Sequence, residues 1–133
     1  MPLVWNNALA TGIRQIDLQH QELLEMINEL ETAHASGATR QAREEIYPRL
    51  TAYILFHFAT EESMLPASAS AHARLHRAQH QAFAEQITAS RDQSAENFDM
   101  SELITYLRQW LINHIMKTDH DLAQHILAQN RTD

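Results

Sequence analysis

The stretch Ile46-Tyr47-Pro48-Arg49-Leu50-Thr51-Ala52-Tyr53-Ile54-Leu55-Phe56-His57-Phe58-Ala59-Thr60-Glu61 decides the fold. Within it Ile46, Leu50, Tyr53, Ile54, His57 and Glu61 recur at three- and four-residue steps. That is one stripe of an α-helix and not one face of a strand. The stripe begins apolar and ends on an imidazole and a carboxylate. An unpaired carboxylate on the buried side of a helix costs on the order of several kcal/mol, so whatever lies opposite Glu61 must compensate its charge.

Working outward, the same periodicity predicts four amphipathic helices. The one just quoted spans roughly 40–64, with Pro66 forcing its stop. A first helix runs over about 17–37 through Ile16, His20, Leu23, Leu24, Ile27 and Leu30. Asp17 is its expected N-cap and Ser36-Gly37 its exit. A third covers about 70–91, with His72, His76, His80, Phe83 and Ile87 on one face. After a polar loop from Ser94 to Phe98, Asp99 followed by Glu102 resembles a capping box and opens a fourth helix. That helix carries Leu103, Leu107, Trp110, Leu111 and His114.

The expected fold is all-α: an up-down-up-down four-helix bundle with an extended N-terminal arm pinned by Trp5. A short, weakly packed helical tail over 120–133 completes it. The 133 residues are expected to form one domain, 1–133.

Composition agrees. Two glycines and three prolines in 133 residues favour long helices with short links. The formal net charge of −7, with no basic cluster, argues against a nucleic-acid partner and against an anionic membrane surface. Without cysteine there is no disulfide framework, thiolate metal site or cysteine nucleophile. The opening Met1-Pro2-Leu3-Val4-Trp5 lacks a basic n-region and a following apolar stretch of signal length, and apolar runs reach only about four residues, too short to span a bilayer. The expectation is a soluble cytoplasmic protein.

The chemistry lies in seven residues: His20, His57, Glu61, His76, His80, His114 and Asp119. Positions i and i+4 differ by about 400° around an α-helix and so project together. His57 with Glu61, and His76 with His80, are therefore chelating pairs. Four inward histidines and an inward acid in one layer point to metal, which needs imidazoles neutral and carboxylates ionised. Five imidazoles and two acids suffice for two ions joined by bridging acids.

His114 and Asp119 are five residues apart, about 500° on a regular α-helix. Both can reach one site only if the helix ends, loosens or makes a π-type turn between Ile115 and Thr118. A pair shifted to His72 and His76 remains conceivable, while His34, His120 and His125 are expected on the surface or in the tail. Glu62 is expected to face away.

These residues, in the runs Ile16-Asp17-Leu18-Gln19-His20, His57-Phe58-Ala59-Thr60-Glu61-Glu62, His76-Arg77-Ala78-Gln79-His80 and Trp110-Leu111-Ile112-Asn113-His114 through Asp119, together with Trp5 and Gly12, resemble the hemerythrin family, specifically its single-domain bacterial members. The likeness extends over about residues 3–120. It implies two non-haem iron ions. His76, His80 and His114 would bind one and His20 and His57 the other, with Glu61, Asp119 and a solvent-derived oxo or hydroxo group as bridges. It also implies that dioxygen binds at the open position of the two-histidine iron, in a pocket walled by Leu23, Phe58, Trp110, Leu111 and Ile115.

The chain departs from the family at Ala67-Ser68-Ala69-Ser70-Ala71, where an aromatic is common, and around Met64-Leu65. The expected function is reversible dioxygen binding as carrier, store or sensor rather than catalysis. A di-iron oxidase, peroxidase or nitric-oxide-handling enzyme is the alternative, and a sensory module acting with an unidentified protein partner is a third. Zinc fits less well, because seven N/O donors exceed a tetrahedral site.

Overall fold

A computed structural model describes residues 3–64, 71–91 and 99–131. Among these residues all regular structure is helical and no strand occurs. The long elements are α1 (Arg14–Ala35), α2 (Tyr47–Ser63), α3 (Ala71–Arg91), α4 (Met100–Asn113) and α5 (His120–Arg131). They form a helical bundle in which α1 packs against α2 and α4, and α2 against α3. No helix among the described residues is long and apolar enough to cross a membrane.

Each boundary has a local cause. Asp99 accepts a hydrogen bond from Glu102 N at 3.1 Å and caps α4 as expected. Gly37 takes a φ of +90° just beyond α1, where a side chain would be strained. Asp17, however, is not the N-cap of α1. The helix begins at Arg14, and the Asp17 carboxylate reaches back to accept from Thr11 N (2.8 Å), Thr11 Oγ1 (2.7 Å) and Gly12 N (3.2 Å). It ties down the arm instead, and the φ of +89° at Gly12 makes that turn possible.

The second helical stretch is not uniform. A turn at Thr39–Gln41 passes into a π segment, Ala42–Ile46, before α2 begins. Pro48 accounts for the widening: it has no N–H for the Glu44 carbonyl, and its ring crowds that carbonyl. The expected stop at Pro66 and the expected polar loop from Ser94 to Phe98 lie outside the described residues, but α2 already ends at Ser63.

The arm and the tail are better anchored than the sequence suggested. Asn28 accepts from Leu3 N and donates to Leu3 O, both at 2.7 Å; Leu9, in a 3-10 turn, is buried in the core, and Trp5 packs against it half-buried. The tail is not separate. Met100–Asn113, a π segment His114–Asp119, and α5 run on without a break. Nor is it weakly packed throughout, because Leu122 is fully buried against Ile16 and Ala73.

The core therefore has two parts. A main cluster holds Leu23, Ile27, Leu50, Ile54, Phe58, Leu107 and Leu111, and a smaller one holds Ile16, Ala73 and Leu122. Ile16 is one turn from His20, Ala73 from His76, and Leu122 from Asp119. The polar residues form a layer between two apolar ones.

Candidate metal centre

All seven expected residues meet in that layer, and each is almost wholly buried. α1 contributes His20, α2 His57 and Glu61, α3 His76 and His80, and the π segment His114 and Asp119. The chelating pairs on α2 and α3 follow from their four-residue spacing. The five-residue pair follows from the π segment His114–Asp119, which turns Asp119 inward at the place where the spacing demanded an irregularity.

The donor atoms divide into two groups that share both acids: Glu61, His76, His80, His114 and Asp119, and His20, His57, Glu61 and Asp119. Glu61 Oε1 lies 2.9 Å from His80 Nε2 and 3.4 Å from His76 Nε2, while Oε2 lies 3.2 Å from His57 Nε2 and 3.5 Å from His20 Nε2. Asp119 divides likewise: Oδ1 is 3.1 Å from His114 Nε2, and Oδ2 is 2.7 Å from His20 Nε2. Glu61 turns one oxygen toward three imidazoles and the other toward two, and Asp119 turns Oδ1 toward His114 and His76 and Oδ2 toward His20.

Ordinary hydrogen bonding does not account for this packing. His20 Nε2, His57 Nε2, Glu61 Oε2 and both Asp119 oxygens are buried without an aligned hydrogen bond, even though His20 Nε2 and Asp119 Oδ2 nearly touch. His80 Nε2 lies 3.1 Å from both His76 Nε2 and His114 Nε2. Two nitrogens at right angles on one ion, with a bond of about 2.1 Å as zinc has, would stand about 3.0 Å apart. The set fits hard-to-borderline cations with nitrogen and oxygen preference.

The electrostatics are those of donors in search of a cation. Burial alone would lower the His20 pKa, but Asp119 and Glu61 beside it raise it from 6.5 to about 9. His114 is raised to about 9 by the same balance. At His80 burial prevails, helped by His114 and His76, and the pKa falls despite Glu61. Burial pushes the Glu61 carboxyl up, yet His114, His20, His57 and His76 together hold it well below the usual carboxylate range.

Residues other than the seven donors orient them. Gln19 Oε1 accepts from His57 Nδ1 at 2.7 Å, fixing the tautomer that leaves Nε2 facing the acids, and Gln19 Nε2 donates to Thr60 Oγ1 at 3.3 Å. A signal for Gln19 was present, since it falls on the buried stripe between Ile16 and Leu23. Phe58 stacks on the His80 ring with centroids 3.9 Å apart, and Trp110 on His114 at 4.4 Å.

Of the expected pocket residues, Leu23, Phe58, Leu111 and Ile115 are buried and Trp110 is half-buried. A cavity of about 10 Å³ is lined by Leu23, Phe58, Trp110 and Leu111, joined deeper in the bundle by Ile27, Ile54, Phe83 and Leu107. Ile115 is not part of its wall. Glu62 is partly exposed, 4.0 Å from His80 Nδ1. His34 lies well away, between Thr39 Oγ1 (2.9 Å) and Ser101 Oγ (3.0 Å). The side chains of His72 and His125 lie outside the described residues.

Comparison with known proteins gives the same reading. The model of the hemerythrin HHE cation binding domain matches residues 11–126. A bacteriohemerythrin of Pseudomonas aeruginosa is 34% identical over 131 residues, covering 96% of this chain and 85% of its own. One from Stenotrophomonas maltophilia is 34% identical over 127 residues, with 95% and 82% covered. One from Methylococcus capsulatus is 28% identical over 123 residues, with 88% and 91% covered. With a buried layer able to hold metal and a family model spanning most of its length, the chain belongs to the hemerythrin family.

Proposed function

We propose that the chain binds dioxygen reversibly at two non-haem iron ions joined by Glu61, Asp119 and a solvent-derived oxo or hydroxo bridge. His76, His80 and His114 hold one ion, and His20 and His57 the other. One observation carries the reading: both acids split their oxygens between a three-imidazole and a two-imidazole group. Unequal imidazole numbers leave the two-histidine side one donor short, and that is where an external ligand finds room.

The iron pair would supply the electrons and the vacant position that dioxygen needs. The protein's own contribution is containment. Leu23, Phe58, Trp110 and Leu111 line a small apolar cavity near the layer, where a nonpolar diatomic is tolerated and water finds no hydrogen-bond partner. The two acids are the only anionic side chains in the donor set. Oxygen-activating bundles draw on more glutamates, so this balance favours release of dioxygen unchanged over oxidation of a substrate. The reading takes residues 1–133 as one domain with up-down-up-down topology, in keeping with the three-residue link at 36–38.

A visible spectrum of the reduced protein before and after air, with iron counted per chain, tests this. Two irons and a new charge-transfer band that fades on degassing support it. Oxygen consumed with turnover of an added reductant favours the enzyme reading instead.

A further inference from the structure

We propose that His120 and Thr118 are positioning residues that clamp the π turn, so that Asp119 is aimed inward before any metal arrives. The inference deepens the metal-centre reading and rests on it. A π turn is rare and intrinsically unfavourable, and it disturbs the regular ladder of carbonyls and amides. Left to itself, the segment would relax toward an α-helix, in which a five-residue step carries Asp119 about 140° away from His114. Something must hold the turn in the distorted register.

Two side chains do. The backbone N–H of His120 goes to Lys117 O, and its ring Nδ1–H donates to the Ile115 carbonyl at 2.6 Å. The ring thus occupies a carbonyl inside the turn, and neither group is a member of the donor set. From the other side, Thr118 Oγ1–H donates to Gln79 Oε1 at 2.6 Å. Gln79 precedes His80 on α3, so this bond fixes the π turn relative to the helix that supplies two of the imidazoles. The two bonds bracket Asp119 in sequence, at Thr118 and His120. Neither depends on metal, so the clamp belongs to the metal-free fold.

The test uses the full chain with three substitutions. His120→Leu removes the donor and keeps bulk, His120→Asn keeps an N–H near the position of Nδ1, and Thr118→Val removes only the hydroxyl. Amide hydrogen exchange of the metal-free proteins over 114–120 is followed, together with zinc and ferrous affinity by chelator competition. His120→Leu is expected to speed exchange across the π turn at least tenfold and to weaken metal binding about 10- to 100-fold, the range for partners that orient ligands. His120→Asn should recover most of both, and Thr118→Val should show a smaller loss of the same kind.

Wild-type exchange and affinity in His120→Leu would overturn the proposal, as would His120→Asn failing as badly as His120→Leu, which would make bulk rather than the donor responsible. Should His120→Leu not fold, Thr118→Val decides alone by the same two readouts. A wild-type chain that binds no metal would remove the function proposed above, while exchange in the metal-free protein would still decide whether the clamp exists.

Discussion

Loading the site with metal should expel at least two protons per chain near pH 7.4, one each from His20 and His114, and a bridging hydroxide formed from water would add another. In the metal-free protein His20 and His114 titrate at about 9, so at pH 7.4 both are almost fully protonated. Glu61 is already ionised there, being held well below the usual carboxylate range, and His80 is lowered and neutral. An ion needs the lone pairs of His20 and His114, and those two protons must leave.

The sign of the accompanying stability change follows. A histidine raised from 6.5 to about 9 stabilises the metal-free fold fully below pH 6.5, and that contribution disappears as pH rises through 9. It amounts to about 3 kcal/mol for one such group, and less than double for two that share the same acids. The metal-free melting temperature should therefore fall from pH 6.5 to 9. Over the same window the two histidine protons alone should make apparent metal affinity climb up to about 100-fold per pH unit, tenfold for each proton released. Zinc titration calorimetry in buffers of different ionisation enthalpy counts the protons, and thermal melts of both forms across pH 6–9 read the slopes. Proton release near zero, or a metal-free form that gains stability toward pH 9, would refute the charge assignment.

Glu61→Gln keeps the shape of the side chain but weakens its hold on both donor groups. Metal content measured after dialysis should fall well below two ions per chain, and full occupancy would contradict its shared role. Gln19→Leu deprives His57 Nδ1 of its acceptor and should weaken metal binding about 10- to 100-fold in chelator competition, with little change in helix content by circular dichroism. Leu23→Ala enlarges an existing apolar cavity; urea unfolding should show a loss of about 2–5 kcal/mol, and xenon should bind there more readily than in the parent protein. His57→Ala should retain part of its metal yet lose oxygen binding, read by iron analysis beside the visible spectrum.

Much of this was legible in the sequence, for reasons that differ by residue. The pairs His57–Glu61 and His76–His80 could be read because a four-residue step and a buried acid each restrict the options. The π turn before Asp119 was legible for the opposite reason, since no regular helix brings His114 and Asp119 together. The π segment at Ala42–Ile46 went unforeseen although Pro48 signalled it, because a proline near a helix start usually passes without distortion. The role of Asp17 was misjudged because an acid there can cap its own helix or reach back to a preceding turn, and only the path of Thr11 and Gly12 decides. The Leu3–Asn28 pairing and the burial of Leu122 join segments remote in sequence, for which a single chain offers no periodicity to read.

The layout also explains where asymmetry enters an otherwise balanced site. α2 pairs the shared acid Glu61 with an imidazole of the smaller group, and the π segment pairs the shared acid Asp119 with an imidazole of the larger. Those two contributions mirror each other, so the acids favour neither donor group. The imbalance comes from the remaining helices. α3 sends two imidazoles inward, from His76 and His80, while α1 sends one, from His20. One turn beyond His20 stands Leu23, fully buried and lining the apolar cavity. The apolar wall thus begins on the same helix as the lone imidazole of α1, and Phe58 and Trp110, stacked on His80 and His114, carry it across to the larger group. Because each acid spans both groups, the function proposed above expects a first ion to fix the carboxylates that a second would require, so that the two bind in a coupled way.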